Sequence, residues 1–126
     1  STDANLGKIL NRRDDFHEFS DKAEKIVIEA KAILEGGDLR RLGPLIARYQ
    51  ALLYKLDFDL ELGFNTDILN RLIKCAADLG GYSKISGAGY GDCGLAIVDN
   101  KLLLEKAWSL QGIRLIKYKI AGRVKG

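Results

Sequence analysis

Residues 84–94 read Lys-Ile-Ser-Gly-Ala-Gly-Tyr-Gly-Asp-Cys-Gly, and this stretch decides how the rest of the chain is interpreted. Four of its eleven residues are glycine, which tolerates positive φ and lets backbone N–H groups converge on an anion. The flanking runs, Tyr82–Ile85 and Cys93–Val98, are short and rich in apolar residues, as strands are. An ordinary hairpin does not need so many glycines. From the residues alone, a phosphate-binding loop and a flexible hairpin are both open interpretations.

The glycine-rich stretch matches neither of the common nucleotide-binding signatures. It lacks the GxxxxGK[ST] pattern, and the spacing of Gly87, Gly89 and Gly91 differs from the dinucleotide fingerprint, which also requires a helix to follow. Two neighbouring residues nevertheless suit an anion site, because Ser86 supplies a hydroxyl group and Lys84 a cation. The alternation of a strand leaves open whether Lys84 faces the site or solvent.

Three amphipathic helices are predicted before the glycine-rich stretch. The first runs from Asp15, as its N-cap, to Glu35; the second begins near Gly43-Pro44; the third follows a cap at residues 65–67 and ends at Gly80-Gly81. Apolar residues at spacings of three and four mark each helix. The three apolar faces consist of Phe16, Phe19, Ala23, Ile26, Ala30 and Ile33; Leu42, Ile46, Tyr49, Leu52, Leu53 and Leu56; and Ile68, Leu69, Leu72, Ile73, Ala76 and Leu79.

A helix at Lys101–Leu110 and a strand at Ile113–Ile120 are predicted after the glycine-rich stretch. Leu104 and Trp108 fit the face of that helix that covers a sheet, and Cys93 is interpreted as a small packed residue. The order is three helices, strand, loop, strand, helix and strand, which indicates a single α+β domain.

The composition excludes several classes of protein. The chain has 126 residues, 47% hydrophobic and 29% charged, with one proline, as is ordinary for one globular domain. No apolar run approaches the roughly 20 residues that cross a bilayer, and no secretory signal opens the sequence, so we expect a cytoplasmic location and no membrane partner. Two cysteines are too few for a disulfide framework. No metal site is predicted, since the acidic cluster Asp57, Asp59 and Glu61 lacks calcium-loop spacing.

Residues Ser86–Ile97 resemble the third conserved motif of the GHMP kinases, a superfamily of small-molecule kinases. The ending Gly91-Asp92-Cys93-Gly94 is most similar to that of the bacterial phosphomevalonate kinases, whereas mevalonate and galactose kinases usually have glycine where Asp92 stands. Tyr90 departs from the pattern, which has glycine there. Leu79–Lys84 and the run from Gly112 resemble the segments that enter this motif and end the same domain.

The resemblance implies a fold and a place within a larger enzyme. Residues 1–126 would be the C-terminal domain of a GHMP kinase, without the N-terminal nucleotide-binding domain. The family fold is a ferredoxin-like split βαβ with an antiparallel sheet and helices on one side. In its strand order, 4-1-3-2, the first strand is interior and would precede Ser1, so it is expected to be missing here. Another chain, the N-terminal segment or pairing of the two adjacent strands would then fill that position.

The resemblance also implies an activity. The intact enzyme would use ATP and Mg²⁺ to phosphorylate 5-phosphomevalonate in the mevalonate route to isoprenoids. The phosphate- or substrate-binding loop would consist of Ser86, Gly87, Ala88, Gly89, Gly91 and Asp92. In this loop Asp92 would either hold the loop by accepting backbone N–H bonds, the favoured role, or lie near Mg²⁺, and Lys84 would add positive potential. No catalytic residue is expected in this chain, which alone should bind no cofactor and should not turn over ATP. Its partners would be an N-terminal kinase half, in the same polypeptide or separate, and a small phosphate-bearing substrate.

Two alternative functions remain open. One is a different GHMP kinase, acting on mevalonate, homoserine or a sugar. The other is a ferredoxin-like module that binds RNA through its basic end, since the last thirteen residues hold five basic residues and no acidic one. Nucleic acid is not the expected partner, because the predicted strands offer no adjacent aromatic pair for base stacking. Exposed strand edges would also permit a homo-oligomer.

Overall fold

The computed structural model describes residues 2–63, 65–86 and 93–116, with side chains from Arg12 onward. The elements, in chain order, are α1 (Thr2–Gly36), a 3-10 helix (Leu39–Arg41), α2 (Leu42–Leu60), α3 (Asp67–Asp78), β1 (Tyr82–Ile85), β2 (Gly94–Ile97) and α4 (Lys101–Leu110). The described part of the chain is therefore an α+β unit, as the sequence predicts.

Helices α1 and α2 pack side by side in opposite directions. Arg12 of α1 donates from Nη2 to the carbonyl oxygen of Leu60 at the end of α2, at 3.3 Å. Nearer the other end of the pair, Glu29 and Arg48 form an ion pair at 3.2 Å. The buried residues between the two helices are Ile26, Ile33 and Leu45. This small cluster is joined to the main core through Tyr49, which packs against both.

Helix α1 begins at Thr2, so the predicted N-cap role of Asp15 is wrong. The sequence shows why: Leu6, Ile9 and Leu10 continue the spacing of three and four upstream of the charged run 12–15. That run is a polar part of one long helix and not the entrance to a shorter one. Phe16, expected on the buried face, is 47% exposed, whereas Ala23, Ile26 and Ile33 are buried as expected.

Side-chain caps set the starts of α3 and α4. Thr66 accepts a hydrogen bond from the backbone N–H of Leu69 at 3.4 Å, and Asn100 accepts one from Leu103 at 3.1 Å. These bonds satisfy N–H groups that have no partner within the first turn of a helix. The cap predicted at residues 65–67 is confirmed. Gly80, at φ 74°, follows the end of α3, in the left-handed region that favours glycine.

Strands β1 and β2 form an antiparallel hairpin that packs on α3. The register pairs Tyr82 with Ile97 and Ile85 with Gly94. Ile85 has no exposed surface, and Leu72 of α3 approaches Gly94 on the same face of the hairpin. The first strand has the predicted bounds, and the second lies within its predicted range.

The main core joins α2, α3, α4 and β1. Its buried members are Leu53, Leu56 and Leu60 of α2, Leu69, Leu72 and Ala76 of α3, Ile85 of β1, and Leu104 and Trp108 of α4. The indole Nε1 of Trp108 donates to the carbonyl oxygen of Leu72 at 3.1 Å, which fixes α4 on α3. The core assignment of Leu104 and Trp108 is confirmed. Cys93 is exposed, so its interpretation as a packed residue is wrong.

The predicted last strand has no counterpart over residues 113–116, which follow α4 without strand pairing. Residues 117–120, the remainder of that prediction, lie outside the described residues. Within the described part, the sheet has the two strands β1 and β2. The prediction of a missing interior strand, and of what fills its position, therefore stays a prediction. None of the helices in the described ranges is long and apolar enough to cross a membrane.

Gly94 provides a test of the hairpin packing. A Cβ at this position would lie 2.9 Å from the carbonyl oxygen of Lys84 and 3.0 Å from Leu72 Cδ2. We expect Gly94→Ala to lower the free energy of unfolding by about 1–3 kcal/mol in urea denaturation, because backbone cannot move aside easily. Gly36→Ala is the matched control: a Cβ at Gly36 meets nothing within 4 Å, so this variant should stay within about 0.5 kcal/mol of the wild type. Equal stability of the two variants would contradict the packing.

Candidate phosphate-binding site

Lys84 and Ser86, two residues of the predicted site, lie on one face of the hairpin. Side chains alternate along a strand, so residues 84 and 86 point the same way, opposite to Ile85. Across the ladder, Leu95 pairs with Lys84, and the backbone N–H of Ser86 donates to the carbonyl oxygen of Cys93 at 3.0 Å. The register therefore places Lys84, Ser86 and Cys93 on one face at the loop end of the hairpin.

The ammonium group of Lys84 is held in place and is not free in solvent. Nζ donates to the carbonyl oxygen of Ile85 at 2.6 Å and lies 4.8 Å from the centre of the Tyr49 ring. The lysine is half-buried, and burial lowers the pKa of its ammonium group, an effect that the nearby Cys93 opposes. The question that strand alternation left open is thus answered, because Lys84 packs against α2.

The remaining predicted loop residues lie outside the described residues. They are Gly87, Ala88, Gly89, Gly91 and Asp92. Their part in binding phosphate stays a prediction. What the structure does define is both ends of the segment: Ser86 on one side, Cys93 on the other, joined by a backbone hydrogen bond. The glycine-rich segment therefore connects to β1 through Ser86 and to β2 through Cys93.

Gln50 of α2 is a residue at this site that sequence reasoning missed. It is 3% exposed, and its Oε1 accepts the backbone N–H of Ile85 at 2.7 Å. Hydrogen-bonded and non-hydrogen-bonded residue pairs alternate along an antiparallel ladder. Because Ser86 and Cys93 form a hydrogen-bonded pair, Ile85 and Gly94 do not, and the Ile85 N–H points away from β2. A signal was present in the sequence: Gln50 stands four residues after Ile46 and three before Leu53, on the apolar face of the helix.

The acidic residues Asp57, Asp59 and Glu61 have separate structural roles. Asp57 accepts hydrogen bonds from the backbone of Gly63 and from Asn65, and Asp59 pairs with Lys55 at 2.6 Å. Glu61 has a left-handed backbone at the end of α2. In residues 12–63, 65–86 and 93–116, no cluster of three or more His, Cys, Asp or Glu side chains is arranged to hold a metal ion.

A shallow groove between α1 and α2 lies elsewhere and contains none of the predicted site residues. Phe19, Leu52 and Leu56 line it together with charged side chains, among them the pairs Lys22–Glu18, at 2.8 Å, and Lys55–Asp59. A hydrogen bond from Lys22 lowers the pKa of Glu18, and a hydrogen bond to Asp59 raises the pKa of Lys55. These groups already neutralise one another at an exposed surface, so the groove offers less to a charged ligand than the hairpin end does.

Comparison with known proteins places this hairpin in a family. The family model for the GHMP kinases C terminal matches residues 30–109, which include α2, α3, both strands and most of α4. The chain belongs to the GHMP kinase C-terminal family. The resemblance detected in residues 86–97 is thereby confirmed, together with the fold class.

Two known proteins similar to this GHMP kinase C-terminal domain are informative. The chain is 40% identical over 81 residues to a phosphomevalonate kinase from Streptomyces sp. (strain CL190), a match that covers 64% of this chain and 22% of that protein. A crystal structure of the Lin0012 protein from Listeria innocua superposes with a TM-score of 0.79 at 25% identity, over 94% of this chain and 36% of that one. The chain therefore spans roughly a fifth to a third of the length of these relatives.

The opposite pKa shifts of Lys84 and Lys55 can be tested in one sample. We expect the ¹³C NMR titration of the ε-methylene groups to give Lys84 a pKa below that of an ordinary lysine, because burial disfavours its charge. Lys55, hydrogen-bonded to Asp59 at the surface, should titrate above the ordinary value and serves as the internal control. Titration of Lys84 at or above the pKa of Lys55 would contradict the buried geometry.

Proposed function

We propose that this domain is the C-terminal part of a phosphomevalonate kinase, and that it helps bind the reacting phosphates while ATP phosphorylates 5-phosphomevalonate. The observation that carries the proposal is the shared face of Lys84 and Ser86 at the start of the glycine-rich motif. The 40% identity to a phosphomevalonate kinase supports this substrate over others in the family. A cytoplasmic location follows from the same proposal, since the substrates are soluble.

The chemistry required of such a domain is the placement of positive charge and hydrogen-bond donors. In the transfer, a phosphate oxygen of 5-phosphomevalonate bonds to the γ-phosphorus of ATP while the bond from that phosphorus to ADP breaks. Enzymes accelerate this reaction mainly by positioning the reactants and neutralising their charge. Lys84 supplies a cation whose position is fixed by Tyr49 and Ile85, and Ser86 supplies a hydroxyl donor two residues further on.

Partial burial makes Lys84 more effective toward an anion than a solvated lysine. Its charge is less screened by water, so attraction to a nearby phosphate is stronger. Burial lowers the pKa because keeping the ammonium group charged away from water costs free energy. A bound anion would offset that cost. Lys84 is therefore a site at which binding of phosphate and protonation of the ammonium group favour each other.

Mg²⁺, which the proposed reaction requires, has no ligand set among the described side chains of this domain. We assign its coordination to the ATP phosphates and to groups outside the described residues, such as those of the N-terminal half. The described residues of this domain then contribute anion binding. Neither Lys84 nor Ser86 is assigned a covalent or proton-transfer role.

The proposed reaction is tested with the domain assembled with its N-terminal half. We expect ADP release with 5-phosphomevalonate, and none when the 126-residue chain is assayed alone. Ser86→Ala should lower kcat/KM by about 10-fold or more, because a hydrogen bond to a charged group is worth about 1.5–3 kcal/mol. The control is Ser109→Ala, at an exposed position of α4, which should leave kcat/KM unchanged. Transfer to mevalonate, homoserine or a sugar instead would overturn the substrate assignment, and no transfer to any of them would overturn the function.

Lys84 gives a second, pH-dependent test. Its positive charge should be lost at lower pH than that of an ordinary lysine, so any rate that depends on it should fall on the alkaline side. Lys84→Arg keeps the charge throughout this range and should move the alkaline fall to higher pH. Lys84→Met should lower kcat/KM at neutral pH and flatten the alkaline limb. Identical alkaline limbs in all three proteins would remove Lys84 from the binding site.

A further inference from the structure

A chain of hydrogen bonds, part-buried at Asp57 and Asn65 and buried at Ile85, leads from the end of α2 to the start of the glycine-rich segment. Asp57 accepts from the backbone N–H of Asn65 at 3.0 Å and from Asn65 Nδ2 at 2.7 Å. Asn65 Oδ1 in turn accepts from Gln50 Nε2 at 3.3 Å, and Gln50 Oε1 accepts from the backbone N–H of Ile85 at 2.7 Å. The chain ends one residue before Ser86.

The direction of each bond in this chain is fixed by the carboxylate at its far end. A carboxylate can only accept, so Asn65 must present Nδ2 to Asp57 and therefore Oδ1 to Gln50. Gln50 must then present Nε2 to Asn65, which leaves Oε1 for the N–H of Ile85. Beside this chain, the hydroxyl group of Tyr54 donates to Asn70 Oδ1 at 2.8 Å. The amide of Gln50 is thus used on both its oxygen and its nitrogen.

The adjacent residue on α2 holds the same short piece of β1. Tyr49 lies beneath the ammonium group of Lys84, and that ammonium group donates to the carbonyl oxygen of Ile85. Both outward-facing backbone groups of Ile85 therefore have side-chain partners, at a residue with no exposed surface. One turn of α2 fixes the backbone at the point where the predicted phosphate loop begins.

We propose that Gln50 is a positioning residue for phosphoryl transfer: it holds Ile85 so that Ser86 and the glycine-rich segment start from one defined geometry. The inference rests on the proposed function for its catalytic meaning and on the hydrogen-bond chain for its geometry. Gln50 itself touches no reacting atom in this proposal. Its removal should therefore slow the transfer step more than it weakens binding of ATP.

The first arm of the test measures the hydrogen bond itself. Gln50→Met keeps the length of the side chain but removes its acceptor, so we expect the Ile85 amide to exchange with solvent about 10-fold faster or more. The control is Ile33→Val, a mild core substitution one turn of α1 beyond Glu29, which pairs with Arg48, and so level with the start of α2. The global free energy of unfolding is measured for both variants. The Ile85 exchange rates are then compared after correction for any difference in that free energy. An Ile85 exchange rate no faster than in the control would overturn the inference.

The second arm measures catalysis in the domain assembled with its N-terminal half. Gln50→Met should lower kcat by about 10-fold while changing the KM for ATP by less than about 3-fold. Ile33→Val should change neither beyond about 2-fold. Faster Ile85 exchange with an unchanged kcat would overturn the positioning role. If the wild-type assembly phosphorylates no acceptor at all, the proposed function fails, and the catalytic part of this inference fails with it. An active enzyme whose kcat is insensitive to Gln50→Met would overturn this inference alone.

A second variant covers the case in which Gln50→Met does not fold. In Gln50→Glu, a protonated carboxyl group can still donate to Asn65 and accept from Ile85, whereas an ionised one places an acceptor against Asn65 Oδ1. Burial raises the pKa of that carboxyl group in the folded state above its unfolded value of about 4.3. Below that pH both states are protonated, so the stability difference from wild type should be smallest there and should grow as pH rises toward the folded pKa. A difference independent of pH would overturn the inference.

Discussion

The backbone of Ile85 carries an N–H and a carbonyl group that both point away from the neighbouring strand, and the described fold depends on their being satisfied inside the protein. Ile85 has no exposed surface, so water does not reach them. A buried donor or acceptor without a partner costs about 1–3 kcal/mol. Gln50 accepts from the N–H, and Lys84 donates to the carbonyl oxygen. Two side chains thus supply, at this edge of β1, the hydrogen bonds that a neighbouring strand would otherwise supply.

This arrangement distinguishes the two edges of the hairpin. At Ile85 the outer edge of β1 is occupied by Gln50 and Lys84, which leaves no room there for another strand to pair. The outer edge of β2 pairs with no strand among the described residues. The strand order expected from the GHMP kinase resemblance places the interior strand beside β2. Both considerations point to the outer edge of β2 as the edge where a further strand would pair.

The sequence was most informative where a local pattern determines the structure. The cap at Thr66, the end of α3 near Gly80 and the bounds of β1 each depend on neighbours in the chain, and each was predicted correctly. The start of α1 was wrong because the charged run before Phe16 was given more weight than the apolar spacing that continues upstream of it. A run of polar residues can interrupt the apolar face of a helix without ending the helix, provided that apolar residues at helical spacing continue on both sides of the run.

The part of the site that sequence reasoning missed is the part that depends on contacts across the fold. Gln50 and Ile85 are 35 residues apart, and no local rule pairs them. A glutamine within an apolar stripe indicates that some buried polar partner exists, because an amide is rarely buried unsatisfied, but it does not name the partner. The environment of Lys84 was equally hidden, since it depends on the ring of Tyr49, which was predicted only as a core residue.

The position of Tyr49 and Gln50 next to each other on α2 has a mechanical consequence. Successive residues of a helix differ in direction by about 100°, so the two side chains reach Lys84 and the Ile85 N–H by different paths from a single turn. Rotating α2 about its axis to improve one contact would worsen the other. The end of β1 therefore constrains the rotation of α2 as well as its distance, and α2 is also anchored to α1 through the Arg48–Glu29 ion pair and the packing of Leu45. The start of the glycine-rich segment is thus positioned by one turn of α2 that contacts both Lys84 and the Ile85 N–H.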